Sequence, residues 1–412
     1  MATHQHHLMM SSMSTQLPTL FKPTKPRGFD ILRCGMVDLL ITPEFFPDEC
    51  ISFNDTFYKT VLLYSHTILE RWPNFTHCRP QCGMCQLSQR DHSYTVFNLV
   101  LIGFVLPFIG MCGLMGNALS AYVYSRPAMR SSTNSYLCAL GCSDSAVICT
   151  AIFLFCVDSV RRYSLTLSVI YGALSSFIYP LGMAAQTCSV YFTLAAGIDC
   201  FVQVCLPDTL KTFMSRPSFV RKTVIGVVLF SILYNIPHCF EAVVLECWHP
   251  QFQNPSLEMC PAPFRFLPTY MLIYYKYMYS LFLAIGPLVV LVILNSCIIF
   301  ATMFVKRGGD NTNTGDTISL VLVVLLFLTC NAAALLLNVL EARLAELLGP
   351  RLDYVVDASN LLVVLNSSFN FCIYVTFSSQ FRRTLRQCFS ASKARPTPRR
   401  VLLLRRQPEL LI

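Results

Sequence analysis

The chain has 412 residues, of which 54% are hydrophobic and only 13% charged, with a formal net charge of +9 and a mean hydropathy of +0.53. A soluble globular chain carries about 25% charged residues. Here the apolar residues come in runs of about 20 or more, the length that crosses a bilayer, which excludes a large soluble enzyme. No catalytic or nucleotide-binding motif interrupts those runs.

In chain order, residues 1–94 are polar and mixed, and no apolar core of a cleavable signal peptide sits near Met1. The first span is therefore expected to act as the export signal. This region reads as a largely disordered extracellular segment carrying two glycosylation sequons, at Asn54 and Asn74. Seven spans follow: Thr95–Tyr124, Tyr136–Val157, Tyr163–Ile198, Thr223–Phe240, Tyr277–Val305, Thr317–Leu340 and Tyr354–Ser379. The third is long enough to include an outer loop before a helix starting near Gly172, and the fifth is expected to begin earlier, near Pro268. Together they predict an all-α membrane protein over 95–379, a seven-transmembrane helix bundle. A basic tail, 380–412, opens with a short amphipathic helix.

Orientation follows from the basic residues near span ends. Arg126 and Arg130, then Lys211, Arg216, Arg221 and Lys222, then Lys306 and Arg307, and finally the arginine-rich tail, all fall on one side. The rule puts the C-terminus in the cytoplasm and the N-terminus outside. The positive charge then suits anionic inner-leaflet lipid and gives no reason to invoke nucleic acid.

Of 20 cysteines, Cys34, Cys50, Cys78, Cys82 and Cys85 precede the spans, and Cys247 and Cys260 lie in the fourth connection. On an oxidising face these favour disulfides. Cys78, Cys82 and Cys85 also have the spacing of half a metal site, but no second half follows. Cys388 sits in the basic amphipathic stretch after the last span, where palmitoylation is plausible.

Asp144 is an acid within an otherwise uncharged span. Such a charge normally faces the bundle interior and marks function. Asn117, Ser189, Asn366 and Asn370 lie in other spans as polar partners. As hard oxygen donors they suit a sodium ion with Asp144; a hydrogen-bond network that only holds the helices together is the plainer reading.

The ordered motifs resemble rhodopsin-like G-protein-coupled receptors. Gly116-Asn117 fits the first helix, and Asn134-Ser135-Tyr136-Leu137 with Leu140 and Asp144 the second. Ser189 fits the third-helix partner of that acid. Asp199-Cys200-Phe201 sits where an Asp/Glu-Arg-Tyr triplet belongs. Pro287 fits the fifth helix and Phe327 with Cys330 the sixth. Asn370-Phe371-Cys372-Ile373-Tyr374 fits the seventh-helix Asn-Pro-x-x-Tyr pattern, and Phe381-Arg382-Arg383 opens the cytoplasmic helix. More narrowly, Ser125–Ser132, Ile178–Thr187 and Tyr234-Asn235-Ile236-Pro237 with Phe240 and Glu241 resemble invertebrate FMRFamide-type neuropeptide receptors.

The resemblance implies a plasma-membrane receptor for a short amidated peptide, acting on a heterotrimeric G protein. Peptides of this class end in Arg-Phe-amide, so it implies an acid for the arginine and an aromatic pocket for the phenylalanine. Glu241, Glu341 and Asp357 are the candidate acids, and Gln186, Tyr179 and Tyr191 face either the pocket or the core. Asp199, Cys200, Phe201, Asn370 and Tyr374 fall at positions of activation and coupling. Tyr374 is expected to swing inward on activation, or else to anchor at the interface.

The departures matter. Cys200 replaces the arginine of the triplet, which puts coupling in doubt and leaves a divergent, weakly coupled ligand-binding receptor as the alternative. Asn331 and Ala333 replace the usual tryptophan and proline of the sixth helix. No cysteine lies near Ser175, so the resemblance leaves Cys247 to pair with Cys260 or with an N-terminal cysteine. A retinal pigment would need a lysine in the last span, and 352–379 contains none. A transporter would predict internal repeats, of which there is no sign. A membrane enzyme would need a cluster of ligating residues; His238 is alone in its span and reads as an interfacial side chain.

Overall fold

The computed structural model describes residues 82–83, 91–249, 251–302, 318–331, 344 and 347–393. Six helices are long and apolar enough to cross a membrane: His92–Tyr124, Ser132–Tyr163, Leu165–Cys205, Pro217–Phe240, Pro268–Phe300 and Leu352–Phe377. We call these the first to fifth and seventh spans. The described part of the sixth is the apolar helix Ile318–Asn331. Glu341, Ala333, Asn54, Asn74 and the other N-terminal cysteines lie outside the described residues.

The outward faces are apolar, as hydrocarbon requires. Phe104, Phe108 and Met115 of the first span, Leu229 and Leu233 of the fourth and Ile293 and Phe300 of the fifth are all exposed. Inside, small residues let helices approach. A Cβ on Gly113 would collide with Ser368 of the seventh span, and one on Gly116 would lie 2.8 Å from the Phe371 Cβ. The bundle end that bears the basic tail is closed by Tyr124, Tyr136, Phe192, Ile298, Tyr374 and Phe381. The tail opens as the helix Ser379–Lys393, whose Gln380 donates to the Ala128 carbonyl of the loop between the first two spans at 3.1 Å.

The third span departs from expectation. It is a single helix from Leu165, with no outer loop before Gly172. Arg161–Tyr163 forms a one-turn 3₁₀ connection, and extended Ser164 starts the helix. Gly172 is a contact point instead of a helix start, because a Cβ there would run into the Leu257 backbone. Leu257 belongs to a β-hairpin in the fourth connection, β1 (Ala242–His249) and β2 (Asn254–Pro261). This hairpin is the one departure from an all-helical fold among the described residues.

The hairpin register also decides the cysteine pairing. Cys247 faces Ser256, whereas Cys260 faces Val243. The two sulfurs sit four rungs apart, about 13 Å along the ladder, so they do not pair. Cys247 is bonded to Cys82, and Cys260 is disulfide-bonded as well. With no cysteine near Ser175, the hairpin is held on the third span by the Gly172 contact and by the hydroxyls of Ser168 and Ser256, 2.9 Å apart. Cys82 adds a backbone bond to the Trp248 carbonyl at 2.9 Å.

Candidate functional site

Three polar layers are strung along the third span. The outer layer is centred on Glu241, just past the fourth span. Pro237 lies in a 3₁₀ turn, Ile236–Phe240, which ends that helix and turns its last residues inward. The Glu241 carboxylate is fully buried and is approached by polar groups from four elements. Tyr179 of the third span donates at 3.2 Å and Tyr275 of the fifth at 2.7 Å. Tyr270 of the fifth donates to the other oxygen. His238 places Nδ1 3.0 Å from that oxygen, and Arg265 of the hairpin connection reaches the first at 3.5 Å. Burial alone would raise the Glu241 carboxyl. The adjoining His238 imidazole, the Arg265 charge and Tyr270 outweigh it and hold it at about 2. Arg265 is held charged: burial would lower its pKa, but the surrounding Tyr275, Tyr179 and Glu241 raise it above the ordinary value.

His238 is therefore not an interfacial side chain. It is 1% exposed and meets the Tyr179 and Tyr274 rings edge-on, at 5.4 and 5.2 Å between centroids. The 3₁₀ turn rotates it off the lipid face. Of the other pocket residues, Gln186 is half-buried about two turns deeper than Tyr179. Tyr191 packs edge-on against Phe230 and donates to the Phe282 carbonyl at 2.9 Å, a contact between the third and fifth spans. Asp357 is buried apart from Glu241's donors and accepts from Tyr94 at 2.9 Å and Asn98 at 2.8 Å. Ser159 completes that chain by donating to the Asn98 amide oxygen at 2.8 Å. Asp357 thus ties the seventh span to the first and second.

The middle layer is Asp144. It is wholly buried and accepts from Ser189 at 2.7 Å and from Asn370 at 2.8 Å. Asn117 donates to the Ser367 carbonyl at 3.0 Å, and the Ser367 side chain is a further hydrogen-bonding neighbour of Asp144. Asn366 is buried one turn before Asn370 on the same helix.

At the inner layer, Asp199 accepts from Ser132 at 2.8 Å and Thr133 at 2.5 Å, hydroxyls at the start of the second span. Its Oδ1 is buried without a partner. Cys200 is buried beside it and lines a cavity of about 950 Å³ at the tail end of the bundle, with Arg130, Ser132, Thr133, Gln203 and Gln380. Phe201 packs at the edge of the same core. Tyr374 is 2% exposed, edge-on to Tyr124 at 5.3 Å, so it is a buried core residue and not an interfacial anchor. Asn331 bonds back to the Phe327 carbonyl of its own helix at 2.8 Å.

Sequence reasoning missed Arg265, Tyr270, Tyr275, Ser132 and Thr133. A tyrosine-rich run from Tyr270 and a lone arginine between two phenylalanines were the available signals for the outer layer. The hydroxyl partners of Asp199 carried none, because serine and threonine at a helix start read first as caps. Ser131 is that cap, accepting from the Asn134 amide at 3.1 Å.

The comparisons agree with this geometry. Residues 104–392 match the family described as "Serpentine type 7TM GPCR chemoreceptor Srw". The chain is 40% identical over 336 residues to "Probable G-protein coupled receptor frpr-1" of Caenorhabditis elegans, covering 77% of this chain and 87% of that one. It is 31% identical to the "FMRFamide receptor" of Drosophila melanogaster, covering 82% of this chain and 62% of that one. To the "FMRFamide peptide receptor frpr-18" of Caenorhabditis elegans it is 30% identical, covering 67% and 66%. These likenesses indicate a receptor and not an enzyme. The buried polar layers and the matched length lead to one conclusion: this chain belongs to the seven-transmembrane G-protein-coupled receptors, as a multi-pass plasma-membrane protein resembling the FMRFamide-type receptors.

Proposed function

We propose that the chain is a receptor for a short Arg-Phe-amide peptide and passes binding on to a heterotrimeric G protein. The observation that carries this reading is the outer layer. A fully buried carboxylate ringed by tyrosines has the chemistry to take a guanidinium and stack aromatic rings, and its donor Tyr179 lies on the same helix as Ser189, the partner of Asp144, and as Asp199. The named FMRFamide receptors among the relatives support the ligand class.

Cys200 favours a second reading, that of a receptor which binds peptide but couples weakly. A thiol cannot make the forked, charged contacts of an arginine. Ser132 and Thr133 take over part of the arginine's role toward Asp199, and the open Oδ1 marks what they leave unfilled.

The test is peptide-stimulated nucleotide exchange in membranes carrying the native chain or Cys200→Arg, at matched surface expression. The expected result is peptide binding by both and several-fold greater stimulated exchange in the arginine variant. Equal exchange would show that the hydroxyl pair suffices. Failure of both to bind any Arg-Phe-amide peptide would remove the ligand assignment.

A sodium ion belongs to the same proposal. Asp144 supplies the anionic oxygen, and Ser189, Asn117 and Asn370 supply neutral ones. The Asn370 and Asn117 amide oxygens and the Ser120 hydroxyl are buried without hydrogen-bond partners, which fits a hard cation among them. Palmitoylation of Cys388, half-buried on the helix Ser379–Lys393, would tie that helix to the inner leaflet.

A further inference from the structure

We infer that Glu241 and its tyrosines form a binding site for an arginine flanked by an aromatic residue, and that the chain's own Phe264-Arg265-Phe266 occupies this site as a tethered stand-in. The inference rests on the proposed Arg-Phe-amide ligand and deepens it.

The segment is a short 3₁₀ turn, Pro263–Phe266, between β2 and the fifth span. A loop arginine at an outer membrane end ordinarily extends its charge to water. Arg265 does the opposite. It is 2% exposed, ion-paired to Glu241 at 3.5 Å and 5.6 Å from the Tyr275 ring centroid. Phe264 beside it packs on Tyr270 with centroids 4.4 Å apart and faces Phe240 at 6.2 Å. An arginine next to a phenylalanine, with its charge on an acid and the neighbouring ring against Tyr270 and Phe240, presents the two side chains of such a peptide's end, in the reverse chain order for Phe264.

Exchange would leave the carboxylate well partnered. Tyr179, Tyr275 and His238 lie 3.2, 2.7 and 3.0 Å from the carboxylate, and Tyr270 also donates to it, so the guanidinium at 3.5 Å is the most distant of the five. Removing one partner of a buried ion pair normally leaves a costly bare charge. Here the phenols and imidazole stay on the carboxylate while one guanidinium replaces another. The tether is held close by the Ala262 amide, which donates to the Glu241 carbonyl at 2.8 Å. A segment anchored this near competes at an effective concentration on the order of millimolar. An incoming peptide therefore binds with an affinity reduced by the fraction of receptors whose site is filled.

The experiment is binding of labelled Phe-Met-Arg-Phe-amide to intact cells at matched surface expression, comparing the native chain with Arg265→Gln and Phe264→Ala. The second variant keeps the buried ion pair and only loosens the tether, so it decides alone if Arg265→Gln does not reach the surface. We expect at least tenfold tighter binding for Arg265→Gln and a several-fold gain for Phe264→Ala. Both gains should vanish when Glu241→Gln is added, or when the peptide's arginine is replaced by alanine. If the native chain binds peptide and neither variant binds it more tightly, Arg265 is a structural latch: the inference falls and the ligand reading stands. If no form binds, the ligand reading fails and takes the inference with it.

Discussion

Asp144 concentrates the argument at the level of single side chains. A wholly buried carboxylate in hydrocarbon is tolerated only when matched by donors or a cation. Ser189 and Asn370 supply two hydrogen bonds, while neighbouring amide oxygens remain unmatched. In the proposed sodium site, repulsion between those oxygens and the carboxylate would be relieved by the cation, which would hold the second, third and seventh spans in the resting arrangement. Replacing sodium chloride by N-methylglucamine chloride is expected to tighten agonist binding to the native receptor several-fold. Asp144→Asn is expected to remove that dependence while keeping the hydrogen bonds to Ser189 and Asn370 possible. A native receptor indifferent to the cation in a competition assay would reduce the site to a hydrogen-bond network. The same residue shows how far the sequence could be read. Asp144, Ser189 and Asn370 were recognisable because an acid or amide in an apolar run has few innocent explanations. Ser367 stood out only as part of the Asn366-Ser367-Ser368 run, since a serine alone is unremarkable in a membrane helix.

Among the elements, the β-hairpin was the least legible. Its strands sit in a connection whose Cys247 and Cys260 were visible, but register depends on pairing and turn geometry that composition alone does not encode. The turn at Gln253, with a φ of 48°, set the frame that places Cys247 opposite Ser256 and frees it for Cys82. The early start of the third helix was hidden for a related reason. Residues 163–171 are as apolar as the span itself, and Gly172 reads as a boundary until its contact with Leu257 is seen. By contrast, the apolar middles of the spans were legible, because hydrocarbon imposes length and apolarity together, while the second, third and fourth helices run a turn or more past the expected ends, to Tyr163, to Cys205 and back to Pro217. The hairpin's covalent tie carries a prediction. Cys82→Ser and Cys247→Ser should each lower surface expression to the same degree, and the double variant should be no worse than either. The loss should correspond to roughly 2–5 kcal/mol, as for other native disulfides of extracellular regions. Flow cytometry on an N-terminal epitope checks it; unequal single variants would mean that one of these cysteines has a second role.

For the molecule as a whole, charge sets the orientation. The basic residues of the tail helix and of the connections beside the inner cavity share one end, and the hairpin occupies the other. An outside N-terminus follows as a proposal, and Asn54 and Asn74 test it. Glycosidase treatment should increase gel mobility of the native chain, and Asn54→Gln with Asn74→Gln should abolish the shift. A chain from expressing cells whose mobility never responds would contradict that orientation. The 41-residue third helix gives the orientation its mechanical sense. At about 1.5 Å per residue it is about 60 Å long, twice the hydrocarbon thickness. Tyr179, Ser189 and Asp199 stand on it at intervals of about 15 Å, one for each polar layer. The layers are thus stations on one shaft rather than separate devices joined by loops. Pro180, directly below Tyr179, leaves the helix continuous but removes one of its hydrogen bonds, because it has no amide hydrogen to give the preceding turn. The outermost station therefore sits beside the least restrained turn of the shaft, and no proline separates the two stations below it.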